Sequence, residues 1–522
     1  MYRMSSPFTD VFSTNKMLET ILTPIEDGMN TANTAQNYLL SLSEYVKEFM
    51  LPCMTAAKYF NQVEKTNIFD ANPVDMMTSM FDFMEFNFNL SGKGLSGTIE
   101  ATKNFADKEF NDAASALFNT FTFNSDNDLM SLMKKKASAL SIIKHDYPQA
   151  IKDIEPEFGF HFENGVNKKI METKRFNLYQ ITPTDSTVSQ RDCAKPVLII
   201  PPYVLGANIL AFLPGENQSY AHSFANKGVP TYIRVLKNIK DHEAVQTMSS
   251  EDDTRDTKRF CEKIKSIHGK QVTLNGYCQG GFSALCNVLS GRLDGLVDAL
   301  ITCVSPIDGT QSHGLSAFLK KLPGRYNNLT FGTKTLPNGN KVADGQLMSW
   351  IYKLKSIESS TPVVSFLRDL AMLTPVNGGP PRFNKTGIAL NYWLKNELTD
   401  IPLSITEMSF ASFKSPITRE GALPVKLFGE ELNLNRIKEK NMKWLICYGK
   451  NDDLVEIPSA LAPKKFIDVE TTPFPKGHVA IATSWSKPDS AYALHKRYHD
   501  NEHRGPVRFQ LDIDKPSLRL VG

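Results

Sequence analysis

Apolar positions along this chain change rhythm once, and the change predicts how it is organised. From Met17 to about Ile154 they recur at helical spacing, as in Leu39, Leu40, Leu42, Tyr45, Val46 and Phe49, with breaks at Pro52 and Pro73. After about Lys168 the pattern becomes short β-branched runs separated by helical stretches, which predicts alternating β and α units around a mainly parallel sheet. The strand candidates are Val197–Ile200, Thr231–Val235, Val272–Asn275, Ala299–Val304 and Trp444–Cys447, with a further β-like run from Phe466 to Val469. The interval from Gly309 to about Lys440 falls between two of these strands and reads as a cap insertion, with a Gly- and Pro-rich loop at Pro375 to Pro381. The expected organisation is a helical N-terminal domain over 1–170, an α/β domain over 171–505 with the insertion at 309–440, and a C-terminal tail over 506–522.

Composition narrows the class of protein. A chain of 522 residues exceeds one ordinary core. Hydrophobic residues at 41% and charged residues at 22% argue against both wholesale disorder and an integral membrane protein. Lys and Arg exceed Asp and Glu by only three, and no dense basic run points to nucleic acid. The seven cysteines form no CxxC pair and read as reduced thiols of a cytoplasmic protein rather than a disulfide framework. Met1 to Leu22 lacks the pattern of a signal peptide, and no stretch approaches the roughly 20 apolar residues that span a bilayer. Before Lys134 stand 12 of the 18 methionines, with Phe81, Phe83, Phe86 and Phe88. This helical region predicts either a plain apolar core or an adaptable surface for interaction or oligomerisation.

The candidate chemistry centres on Gly276, Tyr277, Cys278, Gln279, Gly280 and Gly281, which stand between the strand candidate at Val272 and a helical run from Phe282 to Leu289. A strand, a tight glycine-flanked turn and a helix place the central residue on a strained, closely packed corner, as in the nucleophile turn of α/β-hydrolases. A thiol there lies at a helix N-terminus, where partial positive charge favours the thiolate. The Gln279 backbone N–H is one expected oxyanion donor, and the second is expected from the loop after Val197–Ile200, at Tyr203 and Val204.

That architecture orders its groups as nucleophile, acid and histidine. Trp444 to Tyr448 leads into Gly449, Lys450, Asn451, Asp452 and Asp453, so Asp452 is the expected acid with Asp453 as the alternative. His478 in Gly477–His478–Val479 closes the order as the expected base. His495, His499 and His503 recur every four residues like metal ligands on a helix. Without a fitting carboxylate or cysteine they read instead as a solvated terminal helix, and no metal site is expected.

At these residues the chain resembles the polyhydroxyalkanoate synthases, α/β-hydrolase relatives with a cysteine nucleophile. The resemblance runs through Pro196 to Pro202, Leu213 to Ser219, Gly276 to Gly281, Val304 to Asp308, Asn391 to Trp393 with Pro402, weakly through Leu427 to Glu430, and ends at Asp452 and His478. It implies an α/β-hydrolase fold with a mainly parallel sheet and a cap. The implied activity is acyl transfer from 3-hydroxyacyl-CoA through a thioester on Cys278, with Asp452 and His478 assisting. Coenzyme A would enter as a thioester substrate, with no separate cofactor. A polymer granule surface and a second copy of the chain are the implied partners, in a cytoplasmic, granule-associated setting. The chain departs from the family pattern at Tyr203 to Asn208, at Val235 to Asn238 and at Phe282. Two other readings stay open. One is a cysteine hydrolase, either a thioesterase or a polyhydroxyalkanoate depolymerase, and the other is a non-catalytic granule-associated binding protein.

Overall fold

A computed structural model of the chain describes residues 72–121, 129–191, 193–313, 332–347, 365–369 and 383–514. Contacts divide it into two compact units, one from residues within 90–152 and 356–384, the other from residues within 52–89, 153–355 and 385–522. The expected helical segment before residue 72 and the loop at Pro375 to Pro381 lie outside the described residues. No described helix is long and apolar enough to cross a membrane.

The helical spacing of the N-terminal region gives α1 (Pro73–Phe121) and α2 (Leu129–Ser141). In the smaller unit Ala139, Leu140 and Ile143 form a core with Phe366 and Leu367, against which Ala101 and Phe105 pack. Met77 and Phe81 are exposed, so the plain apolar core expected around them does not include these two.

The larger unit is organised by one sheet of eight strands. These are β1 (Lys168–Glu172), β2 (Phe176–Gln180), β3 (Val197–Ile200), β4 (Thr231–Leu236), β5 (Val272–Tyr277), β6 (Val297–Cys303), β7 (Lys443–Gly449) and β8 (Glu470–Phe474). Their order across the sheet is β1-β2-β4-β3-β5-β6-β7-β8. Only β2 runs against its neighbours, pairing antiparallel with both β1 and β4, and every other pair is parallel. The central strands are apolar on both faces, as a sheet covered on both sides requires. Val197 to Ile200 are all fully buried, and so is most of β5.

Two helices pack against β5. The first, α3 (Ser250–His268), starts at a reciprocal cap in which Ser249 and Asp252 satisfy each other's backbone N–H groups, and it stops at Gly269 with φ 64. The second, α4 (Gln279–Leu289), follows β5 directly and is buried along its whole length. Between β6 and β7 the described residues include a small antiparallel sheet of Thr333–Thr335, Lys341–Ala343 and Ile401–Pro402, the helices α5 (Lys385–Asn396) and α6 (Leu403–Lys414), and a hairpin of Ala422–Leu427 with Glu430–Asn433.

Three local expectations are corrected. The strand expected at Phe466 to Val469 begins only at Glu470, because the preceding Ala462–Lys465, with Pro463, forms a 3-10 turn and Ile467 and Val469 serve as buried anchors after it. The helix expected over His495 to His503 is a short hairpin in which Arg497–Tyr498 pairs with His503–Arg504. Its turn, His499, Asp500 and Asn501, takes positive φ, which a helix forbids and which Asp and Asn tolerate best. The expected tail is described to residue 514, and there Val507, Phe509 and Leu511 are buried, with the Lys195 N–H donating to the Leu511 carbonyl at 3.1 Å.

Candidate active site

The turn after β5 carries the strain that its sequence predicts. Cys278 sits at φ 52 and ψ −124, a conformation costly for any residue with a Cβ and held by the surrounding packing. The glycines on either side are required by close approach. A Cβ on Gly276 would lie 2.3 Å from the Gly281 Cα, and one on Gly280 would lie 2.3 Å from the Ile200 carbonyl oxygen. The turn is thereby clamped between its own helix and the end of β3.

His478 lies on the loop after β8, and Asp452 on the turn after β7. The imidazole Nδ1 meets Asp452 Oδ2 at 2.8 Å, and both residues are buried. Asp452 Oδ1 accepts the backbone N–H groups of Leu454 and Val455, each at 2.9 Å, which fixes the carboxylate. Asp453 is exposed, so of the two candidate acids the fold brings Asp452 to the histidine. Tyr277, adjacent to Cys278, donates its hydroxyl to the His478 carbonyl at 2.7 Å and sets its ring edge against the imidazole.

The other imidazole nitrogen faces the cysteine. His478 Nε2 is buried and makes no hydrogen bond of ordinary geometry. Burial alone would lower this histidine's pKa, but the Asp452 carboxylate and the nearby Cys278 thiol outweigh it and hold the value well above the usual histidine range. Cys278 adds to that rise both through charge and through its side-chain contact with the ring.

This raised value has a consequence for stability. With the folded-state pKa above the unfolded value of about 6.5, the charged ring stabilises the fold fully below about pH 6.5, and that contribution is lost as pH rises through the folded-state value. Thermal unfolding followed from about pH 6 to about pH 9 should show Tm falling with a component that His478→Gln lacks. An identical slope in the variant would assign the effect to other groups.

Of the residues expected to supply oxyanion donors, Gln279 and Val204 touch one another. Gln279 opens α4, where the first N–H groups of a helix have no partner within it. The Val204 N–H donates to Gln279 Oε1 at 3.3 Å, and the Gln279 amide in turn donates to the Ser409 hydroxyl of α6. The Tyr203 side chain turns the other way, into a buried polar cluster, with its hydroxyl on Asp253. Sequence reasoning missed Tyr277, the Gln279 side chain and Ser409. Adjacency to Cys278 was the only signal for Tyr277, and nothing local marks Ser409.

Among the described residues no group of three or more His, Cys, Asp or Glu is placed to hold a metal ion. His503 uses its Nδ1 on the Thr471 carbonyl at 3.1 Å. Burial, followed by Lys227, Lys496 and Arg508, lowers the His495 pKa to about 4. The loop Pro201–Tyr203 also lines a cavity of about 660 Å³, together with Phe160, Phe162, Lys237 and Glu397.

No family model matches the chain, and no curated protein matches its sequence. Among solved structures it is similar to a carboxylesterase of the thaumarchaeon Nitrososphaera gargenis, at 12% identity and a TM-score of 0.33 over 60% of this chain and 91% of that one. It is also similar to Est1E from Butyrivibrio proteoclasticus, at 12% identity and a TM-score of 0.32 over 62% and 96% of the two chains. A thioesterase domain from the curacin biosynthetic pathway matches at 15% identity and a TM-score of 0.29 over 61% and 95%. The molecule's own strand order, with β2 alone reversed and a strained turn leading from β5 into a buried helix, is that of an α/β-hydrolase fold.

Proposed function

We propose that this chain is an acyltransferase with Cys278 as nucleophile, acting on hydroxyacyl thioesters of coenzyme A in the manner of a polyhydroxyalkanoate synthase. The observation that carries the reading is the His478 imidazole. One nitrogen is fixed on a buried carboxylate while the other is buried and the ring lies beside a thiol on a strained turn.

In the proposed reaction the proton shared between Cys278 and His478 sits on Nε2, in line with the raised histidine value, and the sulfur attacks the thioester carbonyl carbon. The negative oxygen that develops is held by the backbone N–H groups of Gln279 and Val204, the latter released from the Gln279 side chain as substrate enters. Collapse breaks the bond to coenzyme A, whose sulfur recovers the proton from His478, and leaves the acyl group on Cys278. A hydroxyl of a second hydroxyacyl group then attacks the acyl-cysteine, giving up its proton to His478, and an ester forms as the thiol is restored. Water in place of that hydroxyl would give a free acid, which is the hydrolase reading.

The test is incubation with short and medium 3-hydroxyacyl-CoA, followed by intact-mass analysis of the protein and sizing of the product. The expected result is an acyl adduct on Cys278 together with oligomeric ester. An adduct with free acid alone assigns hydrolysis, and no adduct at Cys278 overturns both.

A further inference from the structure

We propose that Asp253, fully buried on α3, is a positioning residue that sets the distance between the two sides of the oxyanion site by holding Tyr203 and the helix α4 at once. This rests on the cysteine acyl-transfer reading and concerns a group that makes no contact with the reacting atoms.

Asp253 has no exposed surface, and its two carboxylate oxygens serve two different elements. Oδ1 accepts the Tyr203 hydroxyl and pairs with the Arg234 guanidinium at 2.5 Å. Oδ2 accepts the Ser283 hydroxyl at 2.5 Å and the Asn287 amide at 2.9 Å, both on α4. Arg234 closes the cluster by donating to the Tyr203 oxygen at 3.0 Å and to the Thr257 hydroxyl at 2.5 Å. Burial opposes ionisation of Asp253, but Arg234 with the Ser283 and Tyr203 hydroxyls outweighs it and holds its pKa below the usual carboxylate range. Burial likewise keeps Tyr203 protonated and able to donate.

A buried ion pair is weak evidence for stability, since apolar residues of the same volume often serve as well. Its geometry is better evidence for register. Tyr203 immediately precedes Val204, whose N–H is one proposed oxyanion donor. Ser283 lies one turn along the helix whose first N–H, that of Gln279, is the other. Between these two donors the protein has placed a rigid, fully satisfied carboxylate rather than adaptable apolar packing. A displacement of about 1 Å at such a site can cost about a hundredfold in rate.

The test uses Tyr203→Phe, which keeps the ring and deletes only the hydroxyl that reaches Asp253, because truncating Asp253 would leave Arg234 as an uncompensated buried charge. Ser283→Ala removes one of the two bonds from α4, the one nearer Gln279. Two rates at Cys278 are compared in each variant. One is acylation by a thioester, which develops an oxyanion, and the other is alkylation by iodoacetamide, which does not. Acylation should fall roughly 10- to 100-fold in both variants while alkylation keeps the wild-type rate. As a control, Tyr232→Phe deletes another hydroxyl from a buried tyrosine, one bonded to His268 at 2.8 Å, and should leave acylation unchanged. Equal loss of acylation and alkylation, or loss of neither, overturns the proposal while leaving the cysteine reading intact. Absence of acylation at Cys278 in the wild-type chain overturns that reading and this proposal with it.

Discussion

Cys278→Ala is expected to lower turnover of a 3-hydroxyacyl thioester by roughly six orders of magnitude, the scale seen when a covalent nucleophile is removed from an otherwise intact site. The change deletes one sulfur at a residue that is about nine-tenths buried, so the cost to stability should be small beside the cost to rate. The strain at φ 52 remains, since alanine has the same Cβ as cysteine. Stopped-flow release of coenzyme A, read beside thermal unfolding, separates the two effects. A drop of less than about tenfold with an unchanged Tm would show that the thiol is a bystander on a glycine-rich turn.

Asp452→Asn is expected to cost about four orders of magnitude in the same assay, by a different route. The amide keeps the size of the carboxylate, and its oxygen can still accept the N–H groups of Leu454 and Val455. Its NH2 group then faces His478 Nδ1, which must accept instead of donate. The ring proton moves to Nε2, the nitrogen that faces Cys278, and the imidazole can no longer take the thiol proton. The main support for the raised His478 pKa disappears with the charge, leaving Cys278 alone to oppose burial. The variant should therefore also lose the histidine component of the pH-dependent stability. Asp453→Asn serves as the comparison, because that side chain is exposed. Equal losses in the two variants would remove Asp452 from its proposed role.

Short-range chemistry explains which features could be read from the chain. The strands β3, β4, β5, β6 and β7 were legible because a strand buried on both faces must be a run of apolar, largely β-branched residues, and Val197 to Ile200 is such a run with matching bounds. The turn around Cys278 was legible for a related reason. Packing at 2.3 Å leaves no room for a Cβ, so the glycines had to be written at fixed offsets from the thiol. The expected order of Cys278, Asp452 and His478 came from matching the strand context to the α/β-hydrolase architecture.

Where local signals failed, a longer-range contact had overruled them. The four-residue spacing of His495, His499 and His503 predicts a helix, yet three consecutive residues with positive φ fold the segment back so that Arg497–Tyr498 can pair with His503–Arg504. Of the neighbouring carboxylates at 452 and 453, the sequence favours the first only through its offset of three from Gly449. Only the packed loop after β8 brings an imidazole to one of them and leaves the other exposed. The same holds for Asp253, which joins Tyr203, Arg234 and Ser283 from a loop, a strand and a helix. By itself the sequence determined the sheet and the thiol on its strained turn, because both follow from the residues' own shape and polarity. Tertiary structure decided the contact between Asp452 and the histidine and what ties the loop after β3 to α4, because hydrogen bonds between distant segments exist only once the chain has closed on itself.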